Sequence, residues 1–178
     1  MTRWFLDACS LINLYASGQL ESLAARQDQP FLLVPKVVEE AGWIYTRVGN
    51  ERGERIPIQL DPLISQQLLK VVTLTPDMQT EYVRLAAELD DGEAMTIAAS
   101  LSTNEAGVVS DDDAALKFIA RQETLEASTS LTLLREHLAQ SSPIVCSEVI
   151  LNLRISARYV PSLRHPEVAW WRQYATRE

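Results

Sequence analysis

The chain has 178 residues, 47% of them hydrophobic, which is ample for one well-buried domain and short for two. Its 24 acids and 16 bases leave a formal net charge of −8 and a pI near 4.8, and this excludes a protein that coats nucleic acid through a basic footprint. No window reaches the apolar length of a membrane span, "MTRWFLDACS" lacks a signal-peptide core, and Cys9 and Cys146 make no thiolate motif, so a cytoplasmic single-domain protein without disulfides is expected.

In chain order, "RWFLDA" is a short apolar run ending in an aspartate, and "SLINLYASG" reads as a helix with Ser10 as N-cap and Gly18 as its stop. "LESLAARQ" continues helically. "PFLLV" is a buried strand, closed by the proline that opens the helix "PKVVEEAGWIY". The polar stretch from 46 to 60 reads as a mobile loop. "DPLISQQLL" reopens a helix with Asp61 as cap, "KVVTL" is strand-like, and "TPDMQTEYVRLAAEL" is a helix capped by Thr75. Next come the helix "DDGEAMTIAAS", the strand "GVVS" and the helix "DDDAALKFIARQ". From residue 125 the pattern is mainly helical, and beyond Pro161 no element is assigned. Four strands are thus predicted, at 3–6, 31–34, 70–74 and 107–110. Strands separated by helices predict an α/β fold with a parallel sheet covered on both faces.

That topology brings the strand C-termini and the helix N-termini to one sheet edge, where ligands bind. Asp7 ends the first strand, Glu39 and Glu40 follow the second by about one turn, Glu93 opens a later helix, and Asp111 to Asp113 follow the fourth strand. Acids in a first helical turn also serve as caps and favour the helix dipole, so each alone has a structural explanation. Together they crowd: residues 73–115 hold ten acids and one base, a local −9. A hard divalent cation, Mg²⁺ or Mn²⁺, relieves such repulsion, and histidine is too scarce for a zinc centre, with His137 and His165 expected outside the site. The triple aspartate then reads as one metal ligand, either Asp111 or Asp112, beside neighbours that cap a helix.

"FLDACSLINLYASG", "VPKVVEEAG", "LDDGEAMTIAAS" and "VVSDDDAALKFIA" resemble, in the same order over residues 4–140, the four acidic motifs of PIN-domain proteins. The likeness is to the branch with an "LDxGEA" segment and a later "TDDxxA", near the VapC-type toxins of toxin–antitoxin pairs. It implies a three-layer α/β/α fold with a parallel sheet of four to five strands, a single PIN-like domain over 1–178, and 141–178 as a helical and aromatic extension. It also implies a metal-dependent endoribonuclease, a hydrolase of RNA phosphodiester bonds. Asp7, Glu40, Glu93 and Asp111 match the catalytic acids; Asp7, Glu93 and Asp111 or Asp112 would hold one or two Mg²⁺ or Mn²⁺ ions. Ser10 matches the small hydroxyl residue beside the first acid, and with Arg154 and Arg158 it is a candidate RNA contact. An antitoxin partner and a homodimer are further implications. Three departures stand out: "STSLTLLREHL" lacks the glycines of the family's "TGTLGLL" segment, "SDDDAAL" has Leu116 or Lys117 where an arginine usually follows "TDDxxA", and the insert at 46–60 is not part of the compact pattern.

RNA binding by an acidic protein needs a local basic surface. From Leu151 onward five arginines face two glutamates, and Arg154 and Arg158 stand among Tyr159, Trp170, Trp171 and Tyr174. Such a tail suits phosphate contact and base stacking, or packing against the domain or a partner. Arg47, Arg52 and Arg55 are a second set of possible phosphate contacts. The competing functional reading is a catalytically inactive PIN-like interaction scaffold. A receiver-like signalling domain is disfavoured, because no aspartate ends the "KVVTL" strand and no lysine follows residue 117.

Overall fold

Five short runs lie side by side in one wholly parallel sheet. In the computed structural model, which describes residues 2–122 and 124–175, its order from edge to edge is Leu69–Val71, Phe31–Leu33, Arg3–Leu6, Ala106–Val109 and Glu126–Ser128. The strands are β1 (Arg3–Leu6), β2 (Phe31–Leu33), β5 (Leu69–Val71), β6 (Ala106–Val109) and β7 (Glu126–Ser128). Those at the centre are continuous apolar runs because both of their faces are covered. Val108 points into one cluster, with Leu85, Ile97, Phe118 and Ile119, and its neighbour Val109 into the other, with Phe5, Leu33, Leu131 and Leu134. The result is the expected three-layer α/β/α architecture.

On the first of these faces lie α5 (Pro76–Leu85), α6 (Asp91–Leu101) and α7 (Asp113–Ile119). The larger cluster takes in α1 (Ala8–Ala16), α2 (Leu20–Ala24), α3 (Pro35–Glu40), α4 (Asp61–Ser65), α8 (Ser130–His137) and α9 (Pro143–Asn152). A π-helical turn, Leu153–Ala157, continues α9, and α10 (Val168–Ala175) adds Trp171 to the same core.

Register aligns the strand ends that matter. Leu6 pairs with Val109, and Val109 with Ser128, so Asp7, Asp111 and Ser130 emerge at one edge. The Asp7 amide donates to the Val109 carbonyl at 3.2 Å, and the Ser110 amide to the Ser128 carbonyl at 3.0 Å.

Several local expectations change. The cap of α1 is Asp7 and not Ser10, and Leu60 rather than Asp61 caps α4. The strand expected at 70–74 runs over 69–71. The helix opened by Pro35 stops at Glu40, and Trp43–Tyr45 belong to a strand. The stretch read as a mobile loop is an antiparallel hairpin, β3 (Trp43–Val48) with β4 (Glu51–Pro57), turned by Gly49 at φ +62°. The fifth sheet strand, β7, falls in a region read as helical. It is an edge strand with two exposed residues of three, so it needs no apolar alternation.

Candidate functional site

The floor of the site is made by two aspartates that the sheet places next to each other. Asp7 is 3% exposed, and its Oδ1 accepts the Ser10 amide at 2.6 Å, which caps α1. The Asp111 side chain is 2% exposed, and both of its oxygens are occupied. Oδ2 accepts from Asn13 Nδ2 at 2.8 Å and from Ser10 Oγ at 3.3 Å, and Oδ1 accepts the Ser130 amide at 3.0 Å. The Ser130 amide does this without the glycines missing from "STSLTLL". Asp112 turns to cap α7, its Oδ1 accepting the Ala114 and Ala115 amides at 2.6 and 2.9 Å, while Asp113 begins that helix. Three adjacent carboxylates therefore coexist because the first is ringed by donors and the second faces a helix N-terminus.

Burial pushes the Asp7 carboxyl up to about 6; the Ser110 hydroxyl opposes this and the charge of Asp111 adds to it. Glu93, in the first turn of α6, is pushed up to about 7 by desolvation, then by the charges of Asp112, Asp7 and Asp90. These shifts connect Asp7, Glu93, Asp111 and Asp112: Asp111 acts on Asp7, and Asp112 and Asp7 act on Glu93.

The rim is open. A cleft of about 590 Å³ is lined by Asp7, Cys9, Lys36, Glu40, Asp90 and Glu93, among others. Glu40 leans over Gly92, where an added Cβ would run into its Oε2, so this glycine is the cradle that admits the Glu40 carboxylate at the start of α6. Desolvation raises the Glu40 carboxyl, and Lys36 opposes the rise. Lys36 lies 3.6 Å from Glu39 and 4.0 Å from Glu40. Cys9 is a neutral thiol, pushed up to about 12 by burial and then by Asp7, and neither cysteine is in a disulfide.

Sequence reasoning placed His165 outside the site, and that is corrected. The C-terminal segment folds back so that His165 Nε2 stands 4.0 Å from Asp111 Oδ1, both side chains being buried. His165 Nδ1 accepts the Glu167 amide at 3.0 Å, which leaves the proton of a neutral ring on Nε2, facing Asp111. Burial lowers the imidazole's pKa despite the acids nearby, so the pair is no salt bridge. Tyr159 also senses Asp111, after desolvation, and its phenol is held well above its ordinary range. Glu167 fastens the segment: it accepts from Thr132 Oγ1 at 3.3 Å and lies 3.2 Å from Arg135. No short-range motif announces these residues, since they reach the acids only through the return of the chain.

His137 does lie elsewhere, against Ser22 and Arg26. Arg154 lines a separate cavity with Glu148 and Tyr174, and Arg158 is exposed at φ +60°. Ser10 is fully buried, with its hydroxyl on Asp111.

Among the described residues no three of His, Cys, Asp and Glu converge into a ready-made metal cage. The donor chemistry is nonetheless that of a hard cation: the cleft lining carries five carboxylates against the single cation Lys36, and its one thiol, Cys9, is neutral. No helix among the described residues is long and apolar enough to cross a membrane. Residues 3–168 match a family model, DUF3368, described as a PIN domain. No curated protein and no solved structure matches the chain.

Proposed function

The chain belongs to the PIN-domain family, whose members are in general nucleases that act on nucleic acids and usually use divalent metal ions, and from that premise we propose a metal-dependent endoribonuclease. The observation that carries the reading is the pair Asp7 and Glu93, both raised above the ordinary carboxylate range at one cleft by burial and by further acids. Such a pair gains from a cation what it loses to repulsion.

Asp7, Glu93 and Asp111 would hold Mg²⁺ or Mn²⁺, with Asp112 contributing through the oxygen its helix cap leaves free. A divalent ion bound there supplies a water of lowered pKa and neutralises charge on a phosphodiester. The chain's own groups do the rest. Asn13 and the Ser130 amide orient Asp111, the Ser10 amide fixes Asp7, and Glu40 lies within the same cleft, placed to orient the attacking water. Tyr159 and His165 bury the back of the floor and keep bulk solvent from it. The substrate is RNA, on the likeness of the four acidic motifs to the ribonuclease branch. The same likeness supports a toxin restrained by a cognate antitoxin, a homodimer and a cytoplasmic site of action. The alternative, an inactive scaffold, draws on the lack of three acids already at ligand spacing among the described residues.

Thermal unfolding against Mn²⁺ concentration separates the two. A ligand of the native state at about one hundred times its dissociation constant adds roughly 2.7 kcal/mol, about 5–10 °C for a domain of this size. The wild type shows that saturable rise and Asp7→Asn loses it. If the wild type does not respond, the scaffold takes the place of the nuclease.

A further inference from the structure

The hairpin β3–β4 carries an ordered arrangement that the acid cleft does not use. Its register runs Trp43↔Pro57, Ile44↔Ile56 and Tyr45↔Arg55, then Arg47↔Arg52 and Val48↔Glu51, so that Gly53 and Glu54 together stand opposite Thr46. This one extra residue is a bulge, and it re-phases β4. Without it Arg52 and Arg55, three apart, would point to opposite faces; with it both share the face of Trp43, Tyr45 and Arg47. The bulge depends on Gly53, where a Cβ would run into Thr46 Oγ1.

The shared face is a ladder of rings and guanidinium groups. Arg55 lies over the Trp43 ring at 3.4 Å from its centroid, Arg52 over Tyr45 at 4.8 Å, and the two rings meet edge to face at 5.1 Å. Arg52 and Arg55 are exposed, and among the described residues neither has a carboxylate in ion-pair contact. Arg47, at the far end, pairs with Glu148. Of the hairpin's two acids, Glu51 projects from the opposite face and Glu54 sits in the bulge. A guanidinium stacked on a ring keeps its N–H edge and outer face free for a phosphate or a base. Glu40 lines the cleft, and Trp43 follows it by three residues, so at most about 11 Å of chain separates that wall from the ladder.

We propose that this face of the hairpin is the track on which a single strand of RNA is held as it enters the acid cleft, with Arg52 and Arg55 on its phosphates and the Trp43–Tyr45 pair supporting its bases. The proposal rests on the nuclease reading for the identity of the strand. Charge complementarity selects the occupant: the face is cationic on an otherwise acidic protein, and its cations are already held in place by aromatic rings.

The test is fluorescence anisotropy of a labelled single-stranded oligoribonucleotide of about a dozen nucleotides, titrated in EDTA over a series of salt concentrations. EDTA separates this from the metal question, because binding without a divalent ion is read whatever the outcome of the Mn²⁺ experiment. Arg52→Ala/Arg55→Ala weakens binding at low salt and lowers the slope of log affinity against log salt by about 1.4, from roughly 0.7 per phosphate contact. Arg52→Lys/Arg55→Lys keeps the slope. Trp43→Ala weakens binding roughly five- to a hundredfold, the loss of about one stacked base. Both arginine variants change exposed side chains and unfold with the wild type. No binding by the wild type, or equal affinity and slope for wild type and the alanine variant, overturns the proposal; the second result leaves the face to a protein partner.

Discussion

The floor and the rim of the acid site solve the same electrostatic problem in opposite ways. On the floor, Asp7 and Asp111 are buried and surrounded by donors: two backbone amides, an amide side chain and hydroxyls. On the rim, Glu40, Asp90 and Glu93 face an open cleft, and Lys36 beside them is drawn to Glu39 as well as to Glu40. Fixed donors make the floor stiff and costly to alter. The rim has its charges screened by water and can adjust to what enters. A site built this way fixes its deepest oxygens before any ligand arrives and leaves the outer ones to close around it.

Removing the acceptor on the floor tests that stiffness most severely. Asp111→Ala leaves the Ser130 amide without a partner and Asn13 Nδ2 with only its long bond to Ser130 Oγ at 3.5 Å, in a buried setting where a lost partner costs about 1–3 kcal/mol each. A loss of about 3–5 kcal/mol in urea unfolding is expected, measured in EDTA so that no cation contributes. A loss under about 1 kcal/mol would mean that water reaches these donors and that the floor is no stiffer than the rim.

Next in size is the response to pH. Asp7 goes from an ordinary 3.8 to about 6, so the folded state holds its proton more tightly than the unfolded chain does. Below about pH 4 both states are protonated and the site costs nothing extra. As pH rises through about 6 the folded protein must ionise a buried acid, and roughly 3 kcal/mol of stability is lost. Glu93, moved from 4.5 to about 7, extends the decline, by a smaller amount because solvent screens it. Unfolding of the metal-free protein between pH 4 and 8 should therefore show stability falling with pH. Asp7→Asn, which keeps an equally good cap for α1, should flatten most of that fall and be the more stable protein at pH 8. Glu93→Gln should flatten only its upper part. An unchanged slope in Asp7→Asn would place the protonation elsewhere.

The floor was largely legible in the sequence and its roof was not, for a physical reason. Asp7 and Asp111 sit where apolar strands hand over to helices, and parallel topology converts that local punctuation into spatial convergence, while Glu93 on the rim opens a helix that follows another helix. Motif spacing also places Glu40, one turn into the helix after the second strand. His165 and Tyr159 obey no such rule, because their approach to Asp111 depends on the π-helical turn that ends α9 at the left-handed Arg158 and on the bonds of Glu167 to Thr132 and Arg135. The hairpin was misread for a related cause. Polarity and glycine content mark both loops and exposed two-stranded ribbons, and alternation is broken at Gly53 by the same bulge that gathers the arginines. Glu126–Ser128 escaped notice because an edge strand in a parallel sheet can be held by its neighbour's backbone alone.

Gly92→Ala acts on the rim and should have the smallest effect on stability. It is a helical glycine at an ordinary φ, so alanine favours α6 by up to about 1 kcal/mol. Against this stands the Glu40 carboxylate, which occupies the place of the new methyl group. The obstacle is the far end of a flexible, partly exposed side chain, and it can swing toward solvent or toward Lys36 at little cost. Unfolding in EDTA should therefore show no loss, and a gain of under about 1 kcal/mol, while the thermal response to Mn²⁺ weakens because the Glu40 carboxylate is displaced from its place in the cleft. If stability falls instead by more than 1 kcal/mol, Glu40 is held as firmly as Asp111, and the distinction between a stiff floor and a compliant rim fails at its outermost residue.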